Sequence, residues 1–365
     1  MNLNVLFRSS AIIGLLLGAS RASAVEIDPP KLYGAVDVVT DFGIENPPAD
    51  SGRLRIRSFE FGASSLIDAM WSAKVNIGGH DNSGTLDLEI QEAFVSSEQL
   101  IPNTEIKAGR FYLGLGVLNR MHSYDWGFTS PPKSQFTFFA AEPVADSGLE
   151  FTHRFGGAVP IELTAGLTNG WSYQHVSTPG RRPQVATHYL HPTAIFSFGD
   201  GRTLSTGLNY LGRTDADSVL TRLVGLDLTY KSLRGLFVQT IVQSEVYHRI
   251  QSSSTLPLAE DVGGYVWCQT SVGDGRWSVG GRLDAFTTLS LRNVSGDKRQ
   301  NLDYGMTPTL SFQSSPASTL RASYSYLVES RDGDNTRAEQ RVEIQLVALI
   351  GDPPARQRLE GPSTE

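Results

Sequence analysis

From Leu32 almost to the C-terminus, apolar and polar residues alternate with a period of two, the spacing that sends successive side chains of a strand to opposite faces. Trp71, Ala73, Val75 and Ile77 are interleaved with Ser72, Lys74 and Asn76, and Leu86, Leu88 and Ile90 with Asp87, Glu89 and Gln91. Val224, Leu226, Leu228 and Tyr230 form a further stripe, from which Asp227 points the other way. Strand centres are predicted near residues 36, 58, 75, 90, 107, 151, 165, 195, 207, 226, 240, 267, 281, 308, 323 and 346. That makes about 16 strands, an even number, as expected of a closed bacterial barrel.

The connections sharpen this picture. Short, turn-like pieces follow the even-numbered strands, among them Gly156-Gly157-Ala158, Gly199-Asp200-Gly201 and Gly273-Asp274-Gly275, with a longer one expected at 97–103. Longer polar connections are expected after the odd-numbered strands, at 43–52, 79–84, 113–147, 169–188, 212–219, 248–261, 287–302 and 329–340. Short joins on one rim and long ones on the other describe a membrane barrel whose short side is periplasmic. Aromatic residues end the apolar stripes. Trp71, Phe155, Phe198, Tyr230, Trp277 and Phe312 fall at the short-turn rim, and Tyr210, Tyr304 and Tyr326 at the long-loop rim, where rings sit at headgroup level. A soluble β-sandwich would alternate too, but it needs neither feature. The expected fold class is therefore all-β, a transmembrane antiparallel β-barrel in the outer membrane of a Gram-negative bacterium.

Composition adds limits. The start of the chain reads as a secretory signal, with Arg8, an apolar run from Ala11 to Ala19 and small residues Ala22-Ser23-Ala24 before Val25; the run is too short to span a bilayer as a helix. The expected organisation is a signal peptide at 1–24, a periplasmic lead at 25–30, the barrel at 31–351 and a periplasmic tail at 352–365. The whole chain carries 38 acidic against 31 basic residues, a net charge of −7. An acidic balance argues against a nucleic-acid partner. Cys268 is the only cysteine; it can form no internal disulfide, and it is expected to face lipid.

Signatures of catalysis are missing, with no Gly-x-Ser-x-Gly, no His-Glu-x-x-His and no phosphate-binding glycine loop. No enzyme activity or cofactor is expected, although a Ser/His pair could meet in space as a hydrolase. The inward stripe carries both signs, which a water-filled lumen would keep solvated and a closed core would have to pair. Arg55, Arg57, Lys74, Lys107, Arg110, Asp227 and Arg282 are the lumen candidates, and Arg53, Arg55 and Arg57 resemble the start of an arginine ladder. The stretch 113–147 is longer than ordinary connections and rich in rings, including Trp126, Phe128, Phe136, Phe138 and Phe139. It is expected to fold inward as the third external loop and narrow a pore at Arg120, His122, Asp125 and Lys133. An external lid is the alternative.

Here the chain resembles a known family. Ala108-Gly109-Arg110-Phe111, Gly114-Leu115-Gly116-Val117-Leu118-Asn119, then His122, Trp126, Phe128 and Pro132 resemble the phosphate-selective-porin superfamily, and most closely the group labelled zinc-regulated outer-membrane receptor-like porins. The motif covers 108–132 and a looser likeness runs from 31 to 351. The resemblance implies a passive channel for small hydrophilic solutes or ions, embedded in outer-membrane lipid as a homotrimer. Zinc binding or uptake centred on His122 is the alternative. Members commonly carry His-x-His where this chain has His122-Ser123-Tyr124, and a Gly-x-His tail where Gly351 is followed by Asp352. One His and one Asp do not make a strong metal site, so no metal ligands are expected. Strands beginning at residue 31 leave no room for the plug of an energy-coupled receptor.

Overall fold

The structure, a computed structural model, describes residues 29–46, 51–82, 85–170, 183–234, 237–253, 259–273, 275–292, 298–331 and 336–351. The expected signal peptide at 1–24, residues 25–28 of the lead and the tail at 352–365 lie outside the described residues. Among those residues, sixteen strands follow in chain order. They are β1 (Lys31–Glu45), β2 (Leu54–Leu66), β3 (Ser72–Asn82), β4 (Thr85–Ile101), β5 (Thr104–Tyr112), β6 (Ala145–Phe155), β7 (Ile161–Thr168) and β8 (Val185–Ser197). Then come β9 (Arg202–Thr214), β10 (Leu220–Arg234), β11 (Phe237–Ser252), β12 (Ala259–Val272), β13 (Trp277–Arg292), β14 (Lys298–Ser315), β15 (Ser318–Arg331) and β16 (Arg337–Gly351). Each pairs antiparallel with its chain neighbours, and β16 pairs with β1, so the barrel is closed. Every predicted centre falls inside its strand.

The joins differ from expectation at the rims. The turn expected at 97–103 is only Pro102-Asn103, because β4 continues through the polar run Ser96-Ser97-Glu98-Gln99 with a shift of register against β5. Asn103 closes it with φ +57°, the left-handed geometry that asparagine tolerates. Likewise β3 and β4 reach Asn82 and Thr85, and β11 and β12 reach Ser252 and Ala259, shortening the loops expected at 79–84 and 248–261. Strand ends that rise clear of lipid have water on both faces, so they carry no apolar stripe to read.

Each strand meets two environments. Leu208, Leu226 and Val246 lie side by side across β9, β10 and β11 and are all exposed on the outer face. Leu86, Leu88 and Ile90 on β4 do the same, and Cys268 is exposed. Trp277 packs against Phe312 across β13 and β14 with ring centroids 4.6 Å apart, at the short-turn rim. A continuous apolar belt on a closed barrel that satisfies its own backbone hydrogen bonds is the surface of a membrane-spanning protein. The chain is a membrane-spanning β-barrel.

Candidate functional site

Between β5 and β6 the chain leaves the wall for residues 113–144, forming two short 3-10 turns (Leu118–Arg120 and Ser123–Asp125) and one helix, α1 (Lys133–Phe138). The segment is a loop tied at its base. Asn119 donates from Nδ2 to the Leu113 carbonyl at 2.8 Å and accepts from the Val144 N–H at 2.7 Å. Beyond the base it is held by the inner wall. The Gly114 N–H donates to Glu150 Oε2 at 2.8 Å, Gly116 to Asn209 Oδ1 at 2.7 Å, and Val117 and Leu118 both to Glu245 Oε1. Gly116 has φ +65°, and any Cβ there would strike the Tyr247 hydroxyl and the Glu245 carboxylate; only glycine lets the backbone approach this closely.

The rings explain why so many aromatic residues occupy a loop. Trp126 and Phe128 pack with Leu118 against Tyr265 and Trp267, and Phe138 and Phe139 with Tyr247, Tyr189 and Phe286. These residues lie inside the barrel, sealed from both lipid and water. Charged wall residues complete the seat. Arg282 donates to the Ser130 carbonyl and lies 4.5 Å from the Phe128 ring centre, and Arg249 donates to the Thr137 carbonyl at 3.1 Å. Thr129 donates to Glu343 at 2.9 Å on the far side of the barrel.

The predicted residues divide into groups. Lys74, Lys107, Arg120, His122 and Asp125 line one cavity of about 690 Å³, walled by the short-turn halves of β1 to β10 and floored by residues 114–125. Within it Lys74 pairs with Glu92 at 2.5 Å, Lys107 with Glu150 at 3.1 Å, and Arg120 approaches Glu162 at 3.7 Å. His122 Nδ1 lies 2.8 Å from Glu60 and 3.3 Å from the Tyr112 hydroxyl, with its ring stacked on Tyr124. Burial pushes this imidazole down, but Glu60, by charge and hydrogen bond, and Glu92 push it up by more, so its net shift is upward. Arg55 and Arg57 stand elsewhere on the inner wall, spent on Asp41 and Asp37. They are therefore ion-paired struts and not the start of a free arginine ladder. Lys133 bridges Asp303 and Glu329 at 3.3 and 2.9 Å.

Two expectations are corrected. Arg110 turns outward, since it shares its face with Ala93 and Ser147 across the neighbouring strands and its guanidinium Nε donates to the Ile90 carbonyl at 2.6 Å. Its odd-numbered neighbours Lys107 and Phe111 hold the inner face, so strict alternation alone excludes it from the lumen. Asp227 and Arg282 do point inward, but they are buried and paired instead of solvated. Asp227 accepts from His191 and Asn209 at 2.8 and 2.6 Å, and Arg282 bonds Asp284 at 2.9 Å. The loop fills the space that water would have occupied, so these charges need protein partners.

Glu60 and Glu92 are the site residues that alternation hides. On β2 the register skips Arg57, and on β4 it skips Gln91. Each bulge places two consecutive residues on the same face and reverses parity beyond it. Arg55 and Arg57 therefore share the interior with Ser58 and Glu60, and Glu89 and Gln91 with Glu92. A carboxylate that alternation would send into lipid was the available signal, because a charge there is costly.

No family model matches the chain. A curated relative, an uncharacterized protein of Aquifex aeolicus (strain VF5), is 24% identical over 241 residues, and the match takes in 58% of this chain but 50% of the relative, so the chain spans about half the length of the curated relative it matches. Among solved structures the chain is similar to OmpT of Vibrio cholerae in its trimer form, with TM-score 0.57, 11% identity and coverage of 88% of this chain and 99% of that one. It is similar to an anion-selective porin from Comamonas acidovorans, with TM-score 0.56, 12% identity and coverage of 88% and 99%. The outer-membrane channel DcaP of Acinetobacter baumannii gives TM-score 0.56, 11% identity and coverage of 91% and 100%. At such identities the likeness is one of fold, and that fold is the porin-type outer-membrane barrel.

Proposed function

We propose that this protein is a porin-like channel, without a catalytic role, that passes small hydrophilic solutes or ions by passive diffusion, with residues 113–144 as its constriction. The observation that carries this reading is the loop itself. It is bonded to the inner wall from β2 to β16 and floors a charged cavity that opens toward the short-turn rim. Lining charges of both signs, already paired, would bind a passing solute weakly enough to release it. The motif at 108–132 supports placement in the phosphate-selective-porin superfamily, and the trimeric OmpT neighbour supports a homotrimer.

Planar-bilayer recording tests the reading. Discrete current steps are expected from the folded protein, with larger steps from a variant whose loop is trimmed between Arg120 and Ala140. Folded protein that never conducts would reject the channel. Equal conductance in the trimmed variant would remove the constriction.

A further inference from the structure

His80 lies near the end of β3, opposite Asp87 of β4, and Glu89 stands two residues further along β4 on the same inner face. Glu142 reaches the same place from the returning limb of the loop, two residues before Val144, which Asn119 clamps. One ligand atom from each of His80, Glu89 and Glu142 falls within 4.8 Å of the other two. None of the three lines the cavity at the short-turn side. The Nδ1 atom of His80 is buried and has no hydrogen-bond partner among the described residues, whereas His122, His191 and His248 each bond a carboxylate; a buried, unpaired ring nitrogen calls for a partner.

We propose that His80, Glu89 and Glu142 form a binding site for a divalent transition-metal ion, which ties the returning limb of the loop to the β3–β4 hairpin. One imidazole nitrogen with two carboxylates is the donor set of zinc and its first-row neighbours, whereas calcium and magnesium take oxygen alone. Ligand atoms around tetrahedral zinc stand about 3.4 Å apart, given metal–ligand distances near 2.0 to 2.1 Å. Small rotations of the glutamate side chains close the remaining gap. Three protein ligands leave a fourth position for water or a small anion. The local charge fits as well: Glu89 and Glu142 bring two carboxylates to one point beside His80, which a divalent cation offsets. Glu142 belongs to the loop and the other two to the wall, so an ion bound by all three restrains the loop. The site goes beyond the channel reading and does not depend on it.

The test uses the folded full-length barrel in detergent, titrated with zinc and, for its visible spectrum, cobalt. One equivalent should bind, with cobalt bands of low coordination number. His80→Asn and Glu142→Gln should each weaken zinc by more than about tenfold, the scale on which even outer-shell partners act. His248→Asn, which removes a separate histidine paired with Glu260 at 2.8 Å, should bind as wild type does. Zinc should also slow hydrogen exchange at residues 139–144 in wild type and not in Glu142→Gln. Glu142 lies outside every strand, so its variant keeps the test open if His80→Asn fails to fold. Equal affinity in wild type and Glu142→Gln, or no binding at micromolar zinc, overturns the site. Unchanged exchange on saturation with zinc overturns the restraint.

Discussion

Leu226 and Asp227 are neighbours on β10, yet they answer to different rules. Leu226 is 52% exposed, beside Leu208 and Val246, and its only obligation is to be apolar. Asp227 is 3% exposed and held by His191 and Asn209, and Asn209 in turn accepts from the loop at Gly116. The outer face is specified by composition, with each side chain replaceable by another of similar hydrophobicity. The inner face is specified by partners, because the loop displaces water and leaves the charges it covers to be matched. Interior substitutions should therefore change the loop before the barrel, and exterior ones the barrel before the loop.

The largest expected effect lies inside. Trp126→Ala empties a fully buried ring position between Leu118 and Trp267, a loss of about 3 to 5 kcal/mol for such a truncation. The strand ladder is untouched, so the barrel should still show its heat-dependent gel shift while current steps grow. A Trp126→Ala protein with wild-type conductance would mean that the ring cluster does not seat the loop. On the outer face, Leu226→Arg puts a charge into hydrocarbon at the middle of β10, at a cost of roughly 2 to 4 kcal/mol near the bilayer midplane. Insertion yield into vesicles should fall, and whatever inserts should conduct as wild type does. Normal insertion would show that the register of β10 is wrong. The smallest effect is a pH dependence at His122. Its imidazole sits above the ordinary 6.5 in the folded state, since Glu60 and Glu92 outweigh burial. A raised folded value means that the stabilisation is fully present below about pH 6.5 and is lost as pH rises through the folded value. Alkaline solution should thus loosen the loop, seen as noisier and larger currents, and His122→Asn should flatten that profile. A wild-type profile retained in His122→Asn would assign the transition to another group.

Legibility follows the same division. Strand count, strand centres and the outward stripes were open to reading because lipid imposes one repeated demand on alternate residues. Segment 113–144 stood out because a mobile loop has no use for Trp126, Phe128, Phe138 and Phe139 together. Glu60 and Glu92 were hidden by bulges, which depend on how one strand pairs with the next. The cluster of His80, Glu89 and Glu142 was hidden by separation, since its third member is 53 residues beyond its second in the chain.

The sequence by itself determined the class of solvent on each face, and with it a closed membrane barrel of known strand order. Only the tertiary structure decided which inward charges are solvated, which are paired and which converge. Alternation records the direction of a side chain, but partners across a barrel are set by register, by bulges and by the path of one long loop. No local pattern encodes those three, because each is a relation between residues that are distant in the chain and adjacent in space.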